Sequence, residues 1–93
     1  MDIQHKDNGK MGVFYVEADG MTTAEMTYLW SGDRRIIIDH TGVSEALQGQ
    51  HIGKQLVEAA VVFARQKQLR ILPLCPFAKA MFDKTPEFQD VLF

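Results

Sequence analysis

The feature that most constrains the fold of this chain is a switch in hydrophobic period near its middle. Up to residue 43 apolar and polar residues largely alternate, as in half-buried β-strands, whereas over Gln50–Lys67 the apolar residues recur every third or fourth position. That second spacing places them on one face of an α-helix. A sheet from the first half and a long helix laid against it would bury both apolar faces.

Three segments of the first half carry the strand pattern. Met11–Ala18 is rich in Val, Phe and Tyr and is followed by Asp19 and Gly20, a turn dipeptide. Ala24–Trp30 alternates between an apolar and a mixed face. Arg35–Val43 contains three consecutive isoleucines, which is typical of a central strand buried on both faces. These segments predict an antiparallel three-strand meander.

The second half predicts a helix, a strand and a shorter helix. Leu69–Leu74 is a short apolar run ended by Pro73 and Pro76, Pro76–Lys84 has helical character, and Glu87–Phe93 predicts a last turn. A strand-helix-strand unit crosses over right-handedly and makes its strands parallel. We therefore expect an α+β fold with a mixed sheet and a short C-terminal helix, in one domain over residues 1–93.

Composition excludes several classes of partner. The net charge is -2 and the ten Lys and Arg residues are dispersed, so no basic surface for nucleic acid is expected. No apolar stretch is long enough for a bilayer, and the N-terminus lacks a signal-peptide apolar region. The single cysteine, Cys75, excludes an intramolecular disulfide and suits a reducing compartment. We therefore expect a cytoplasmic protein that does not contact membranes.

The segment His40–Lys54 is a glycine-bearing loop between the isoleucine strand and the long helix. The first amides of a helix have no internal acceptor and lie at the positive end of its dipole, so they bind anions such as phosphate. Gly49 and Gly53 allow close approach of a ligand to the backbone. The alternative is that the two glycines only turn the chain and let the helix pack.

Two other phosphate motifs are excluded by spacing. A Walker loop needs four residues between its glycines and Ser or Thr after the lysine, whereas Gly49 and Gly53 enclose three and Lys54 is followed by Gln55. The dinucleotide fingerprint needs a Gly-x-Gly order in an early parallel unit, which is missing here.

The loop resembles the pyrophosphate-binding motif of the GCN5-related N-acetyltransferases (GNAT), commonly written Gln/Arg-x-x-Gly-x-Gly/Ala. The residues that carry the resemblance are Val43, Gln48, Gly49, Ile52, Gly53 and Leu56. Three further segments are similar to a short, single-domain subfamily of about this length: His40-Thr41, Pro73–Phe77 and Lys84–Phe88. The resemblance covers nearly the whole chain and implies a three-layer α/β GNAT-like architecture.

The resemblance implies that the chain binds acetyl coenzyme A and transfers its acetyl group to an amine. The pantetheine arm would insert between the fourth and fifth strands of the family fold, where these strands splay apart. It would form hydrogen bonds with the backbone of Thr41, Gly42 and Val43. The pyrophosphate would lie on the amides of Gln48, Gly49, Gln50, His51, Ile52, Gly53 and Lys54. His51 stands where the family has its middle glycine, and it is interpreted as a passive helix residue in preference to an added phosphate donor.

Cys75 is a candidate catalytic residue. The family's usual general acid is a tyrosine just after the fifth strand, but Tyr15 and Tyr28 both lie in the first half of this chain. Cys75 occupies the corresponding neighbourhood, where a thiol can protonate the leaving sulfur or accept the acetyl group in a two-step route. The alternative is a buried structural cysteine.

His40 is the second candidate, as a general base, because imidazole gains and loses a proton near neutral pH. A histidine hydrogen-bonded within the sheet is an equal alternative. Glu17 and Glu25 are weaker candidates for a proton relay through water, and His5 lies in a terminus expected to be frayed. No metal site is expected, since the possible ligands lack paired spacing: His5, His40, His51 and Cys75.

The chain is short for the family it resembles. Ordinary GNAT domains carry two helices between their first strands, which wall the acceptor site, and Gly20–Thr23 leaves no room for them. The acceptor groove should therefore be open. An open groove suits a protein or polyamine-like amine as the acceptor. The expected assembly is a monomer or a weak homodimer in which the second subunit completes the site. An open groove is also consistent with a module that binds acyl coenzyme A without catalysis.

Overall fold

The strands give way to helix where the hydrophobic period changes. The computed structural model describes residues 2–93, and its elements are β1 (Gln4–Asp7), β2 (Met11–Ala18), β3 (Met21–Trp30), β4 (Arg35–Val43), α1 (Ile52–Lys67), β5 (Arg70–Pro73) and α2 (Pro76–Asp83). Short 3-10 turns cover Glu45–Leu47 and Pro86–Val91. Neither α-helix in the described part of the chain is long and apolar enough to cross a membrane.

The five strands form one sheet in the order β1-β2-β3-β4-β5. The first three pairings are antiparallel and β4 pairs with β5 in parallel, with α1 as the crossover between them. This confirms the predicted fold class, a mixed sheet made from an antiparallel meander and a parallel strand-helix-strand unit, with a short helix near the C-terminus.

The meander has four strands, and the prediction of three was wrong. Residues Gln4–Asp7 pair antiparallel with β2, so His5 lies in a strand and not in a frayed terminus. The side chains of this strand are exposed, and its sequence lacks the alternation of apolar and polar residues that predicts a strand. Backbone hydrogen bonds to β2 define this edge strand, and the sequence pattern does not encode them.

One face of the sheet forms the core with both helices. From the sheet, the alternate residues buried against it are Phe14, Val16, Ala24, Met26, Tyr28, Ile36, Ile38 and Ile71, and the helices add Leu56, Val57, Ala60, Val61, Ala64, Ala78 and Phe82. Burial of β4 on both faces was a wrong prediction. Ile37 points away from the core and is only half-buried, since no helix of residues 2–93 packs on its face.

The C-terminal residues close the edge of the sheet beyond β5. The predicted last turn is the 3-10 turn Pro86–Val91, which is held by two 2.9 Å hydrogen bonds from the Arg65 guanidinium to the Asp90 carboxylate. The Phe93 N–H then donates to the Ile71 carbonyl at 2.9 Å. This short parallel contact covers part of an edge that would otherwise be open to another chain.

Candidate functional site

The loop that precedes α1 makes two left-handed turns of the backbone. Gly49 has φ +88°, and His51 has φ 59° and ψ 29°, a conformation that L-residues other than glycine seldom adopt. α1 therefore begins at Ile52, two residues later than predicted. His51 is therefore the residue before the helix, and the prediction that it is a helix residue was wrong. It stands where the family has its middle glycine, and it adopts at a steric cost a left-handed conformation that glycine adopts freely.

The backbone N–H groups at the start of α1 are available to a ligand. Among residues 2–93, the N–H groups without a protein acceptor include those of Gly49, His51, Ile52, Gly53 and Lys54. No side chain caps the helix, and His51 makes no cap hydrogen bond. Convergent donors at the positive end of a 16-residue helix form an anion-binding arrangement.

Glycine is required at positions 49 and 53 of the loop for two different structural reasons. A Cβ at Gly49 would meet nothing within 4 Å, so glycine is needed there for its positive φ. A Cβ at Gly53 would overlap the ring of Phe77 in α2. The packing explanation is therefore sufficient for Gly53, whose missing side chain lets Phe77 lie against the first turn of α1.

A groove of about 390 Å³ runs past these N–H groups. Its lining residues are Thr41, Val43, Leu47, Gln48, Gly49, His51, Ile52, Gly53, Lys54, Phe77 and Met81. Eight of the ten predicted cofactor-binding residues are among them, while Gly42 and Gln50 are not. Sequence reasoning missed Leu47, in the 3-10 turn beside the motif, and it missed Phe77 and Met81 because only the tertiary structure brings α2 beside the loop.

Strands β4 and β5 separate at the inner end of the groove. Their last pair is Ile38 with Pro73, after which both the Leu74 and Cys75 N–H groups donate to the Ile38 carbonyl. β4 then continues to Val43 with no strand of residues 2–93 on that side. The strand edge left open there presents backbone groups that an extended amide-bearing ligand can pair with.

Cys75 lies at this separation and is buried. Its Sγ is 3.2 Å from Oγ1 of Thr41, and it accepts a 3.3 Å hydrogen bond from the Ala78 N–H. Cys75 is thus the N-cap of α2. Thr41 lines the groove and Cys75 does not, so the sulfur contacts the predicted pantetheine strand and also has a structural role.

His40 is on the other face of the sheet from Cys75. Directly opposed residues of an antiparallel pair have side chains on the same face. Thr41 pairs with buried Met26, whereas His40 pairs with Thr27. The two predicted catalytic residues are therefore not brought together on one face: His40 is exposed, beside Gly42 and Glu25 on the side without helices.

A hydrogen-bonded cluster that the sequence did not suggest joins β1 to β3. The Tyr28 hydroxyl donates to Asp7 Oδ2 at 2.5 Å, the Trp30 indole N–H donates to the same oxygen at 2.8 Å, and His5 Nε2 is 2.6 Å from the Tyr28 oxygen. Since the phenol proton goes to Asp7, His5 must donate from Nε2. A Cβ at Gly12 would overlap the Tyr28 ring, which explains a glycine within β2.

This cluster shifts the ionisation of its members. Burial lowers the pKa of His5 below its usual value, although the Asp7 carboxylate opposes the shift. Burial by itself would raise the pKa of Asp7, but hydrogen bonds from Tyr28, Gly9 and Trp30 lower it overall. Burial and the neighbouring carboxylate raise the pKa of Tyr28, so its hydroxyl remains a donor.

Comparison with known proteins identifies the family. A family model described as GCN5-related N-acetyl-transferase matches residues 13–91. The chain belongs to the GNAT family. A GCN5-like protein from Staphylococcus aureus is 38% identical over 97% of this chain and 87% of its own, with a TM-score of 0.73. A comparison with curated proteins gives no match.

More distant GNAT structures share the fold. The ribosomal-protein-alanine N-acetyltransferase of Brucella melitensis has a TM-score of 0.66 at 15% identity, over 80% of this chain and 61% of its own. A GNAT family acetyltransferase from Elizabethkingia anophelis, with acetyl coenzyme A bound, has a TM-score of 0.59 at 17% identity, over 69% of this chain and 42% of its own. This chain therefore spans only part of the length of either protein, and the family is one of acyltransferases that use acetyl coenzyme A.

Proposed function

We propose that this GNAT domain binds acetyl coenzyme A in the groove before α1 and catalyses transfer of the acetyl group to an amine. The observation that carries the proposal is the set of unpaired N–H groups of Gly49 and of residues 51–54, next to the open edge of β4. A diphosphate needs convergent donors, and a pantetheine arm needs a strand edge. The N–H donors and the open strand edge are adjacent here, as the diphosphate and the pantetheine arm are adjacent in the cofactor.

Each part of the groove has a task in this proposal. The amides of Gly49 and of residues 51–54 hold the diphosphate, and the backbone of residues 41–43 orients the pantetheine arm. The sequence also predicted the amides of Gln48 and Gln50 for this role, but their N–H groups already donate to the carbonyls of Glu45 and Leu47. The bound cofactor supplies the acetyl thioester. Overall transfer forms a C–N bond and breaks the C–S bond, so the amine must lose a proton and the leaving sulfur must gain one. The proposal assigns that proton to Sγ of Cys75, and its support is the 3.2 Å contact of this sulfur with Thr41 of the proposed pantetheine strand.

A second candidate function is binding of acyl coenzyme A without catalysis. It is favoured by the placement of Cys75 and His40 on opposite faces, which separates the proposed acid from the proposed base. Under this alternative, acetyl coenzyme A would bind with normal affinity and no acceptor would be labelled. Incubation with radiolabelled acetyl coenzyme A and amine or protein pools separates the two functions.

The proposed setting is the cytoplasm, where a lone Cys75 stays reduced, and the proposed assembly is a monomer or weak homodimer. Nucleic acid and membrane are not proposed as partners. These proposals rest on composition, and size-exclusion chromatography of the purified chain tests the assembly.

Thermal unfolding with and without acetyl coenzyme A tests the binding site. Ligand at 100 times its dissociation constant should raise the free energy of unfolding by about 2.7 kcal/mol. The informative variant is Gln50→Glu, which adds a negative charge at the start of α1. We expect it to weaken cofactor binding about tenfold, while the unliganded protein keeps or gains about 0.5 kcal/mol, because a carboxylate there complements the helix dipole.

The matched control is Glu58→Gln, an exposed charge change farther along the same helix. Cofactor affinity should be unchanged in this variant. If the wild type and Gln50→Glu bind acetyl coenzyme A with equal affinity, the diphosphate binds elsewhere. If acetyl coenzyme A does not stabilise the wild type at all, the proposed function is wrong.

A further inference from the structure

The sheet face opposite α1 carries a row of apolar side chains that crosses four strands. The register pairs Met11 of β2 with Leu29 of β3, and it pairs Leu29 with Ile37 of β4. Ile37 pairs in turn with Leu72 of β5. Paired residues of neighbouring strands have their side chains on the same face, so the four side chains form one continuous row. Met11 and Leu29 are 51% and 37% exposed, and the other two are half-buried.

Phe93 extends this row beyond β5. Leu92 forms a parallel bridge with Ile71, whose side chain is in the core, so the exposed side chain of Phe93 lies on the face of Leu72. The centre of the Phe93 ring is 3.6 Å from Cζ of Arg35. The resulting sheet-face row comprises Met11, Leu29, Ile37, Leu72 and Phe93. Five adjacent apolar side chains form a contiguous patch, whereas singly scattered ones are normal on a protein surface.

The open face of the sheet is large enough for a further protein layer. Both α-helices pack on its other face, and no helix in the described part of the chain covers the sheet-face row. Five strands about 4.8 Å apart, the longest of 10 residues at about 3.3 Å each, give a projected area of about 600 Å². A standard interface between proteins buries about 800 Å² on each partner. The face therefore suits a weak, reversible contact.

Two opposite charges stand on either side of the row along β4. Arg35 precedes Ile37 by two residues and Asp39 follows it by two. Both charges lie on the open face: Arg35 contacts Phe93, and Asp39 accepts a 2.7 Å hydrogen bond from the hydroxyl of Thr27, which alternates with the core residues of β3. Neither Arg35 nor Asp39 has an ion-pair partner within residues 2–93. β4 thus presents the order positive, apolar, negative.

The central part of this face has no excess of either charge. Besides Arg35 and Asp39 it carries Lys6 and Glu25, which makes two positive and two negative side chains. A balanced face does not select a strongly acidic or strongly basic partner. The order of charges along β4 instead complements the same order read in the opposite direction, which is the arrangement that a twofold interface requires.

We propose that this sheet face binds a second copy of the chain in a symmetric homodimer. The twofold axis runs along the sheet-face row, so the row packs on its own counterpart and the two β4 strands run antiparallel. Arg35 of each copy then lies over Asp39 of the other copy, on either side of Ile37. Face-to-face sheets pack in this way about 10 Å apart, with nearly aligned strand axes. The inference rests on the proposed function only in narrowing its assembly to the homodimer, and it does not require the cofactor site.

Sedimentation equilibrium of the full chain without cofactor, from micromolar to millimolar concentration, tests the dimer. We expect a reversible equilibrium between monomer and dimer. Arg35→Glu and Asp39→Arg should each raise the dimer dissociation constant about tenfold, because two attractive contacts become repulsive. An equimolar mixture of these two variants should associate about as tightly as the wild type, because each introduced charge then faces an opposite charge in the other chain. Recovery in the mixture is not expected if either substitution only damages the fold.

Leu29→Lys tests the apolar row, because it brings two ammonium groups together at the twofold axis. We expect this variant to remain monomeric at every concentration. The matched control is Val62→Lys, which makes the same kind of change at a 49% exposed position of α1, on the other side of the molecule. Its dimer dissociation constant should equal that of the wild type.

Four results would overturn the inference. The first is a wild type that stays monomeric at every concentration, which would leave the face to a different partner. The others are wild-type dimerisation by Leu29→Lys, equal weakening of the dimer by Val62→Lys, and a mixture of Arg35→Glu and Asp39→Arg that stays monomeric.

Thermal unfolding with acetyl coenzyme A separates this inference from the proposed function. The monomeric Leu29→Lys variant should be stabilised by the cofactor as much as the wild type. A wild type that is stabilised but monomeric would overturn only the homodimer. A wild type that dimerises but is not stabilised would overturn only the proposed function.

Discussion

At the scale of single residues, two positions combine structure with proposed chemistry. Cys75 caps α2 and touches Thr41, and His51 holds a left-handed backbone at the entrance to α1. Each replaces the residue that the family resemblance leads one to expect, a tyrosine and a glycine. Substitutions at these positions should therefore separate stability from activity.

Cys75→Ser should keep the fold and lose transfer. Serine is a good N-cap, so the free energy of unfolding should stay within about 1 kcal/mol of wild type, whereas Cys75→Ala should cost about 1 kcal/mol through the lost cap. If the thiol moves the proton, acetylation should fall about 100-fold in both variants while cofactor binding is retained. Radiolabel transfer measures this, and a normal rate in Cys75→Ser would leave the residue with the capping role alone.

His51→Gly should raise the free energy of unfolding by about 0.5 to 1 kcal/mol, because glycine adopts a positive φ without the steric penalty of a Cβ. A passive His51 also predicts unchanged affinity for acetyl coenzyme A. Urea unfolding and calorimetric titration measure the two effects. Loss of affinity on this substitution would instead assign the imidazole to the phosphates, and His51→Val serves as the strained comparison that should destabilise.

At the scale of elements, the pairing of β1 with β2 depends on more than backbone bonds. The ring of His5 stacks on Phe14 at 4.1 Å, and Asp7 accepts from two side chains of β3. The side chains of His5 and Asp7 therefore help to hold the edge strand on the sheet. The pKa values of both β1 groups, His5 and Asp7, are lowered.

Stability should decrease as the pH falls below 6.5, the ordinary pKa of histidine. The folded state binds the His5 proton less readily than the unfolded state, so acid favours unfolding until the pH passes below the folded pKa. Asp7 acts in the same direction below 3.8, because its stabilising bonds are lost on protonation. Urea unfolding at several pH values checks this, and His5→Phe, which keeps an aromatic ring, should flatten the dependence near neutral pH; an unchanged slope would contradict it.

At the scale of the whole molecule, a single core joins the sheet to both helices. Leu56 is completely buried at its centre, so Leu56→Ala should lower the free energy of unfolding by about 3 kcal/mol. Because there is one core, fluorescence of the sole tryptophan, Trp30 in β3, and far-UV dichroism of α1 should report the same midpoint. Val62→Ala, at an exposed helix position, is the control, and separate midpoints would show independent units.

The order of elements and the position of the phosphate-binding loop were predictable because they depend on local pattern. Alternation identified β2 and β3, the isoleucine run identified β4, and the spacing of three and four identified α1 to within two residues at its start. Gly49 and Gln48 carried the motif. The polar strand β1 was not predictable in this way, because its strand structure comes from pairing with β2.

The sequence by itself therefore determined the mixed fold, the family and the neighbourhood of the groove, since hydrophobic period and loop composition act over a few residues. Only the tertiary structure decided that Phe77 lies on Gly53, that Cys75 contacts Thr41 of β4, and that His40 occupies the opposite face. These relations depend on strand register and helix packing between distant segments, and a one-residue difference in register moves a side chain to the other face of the sheet.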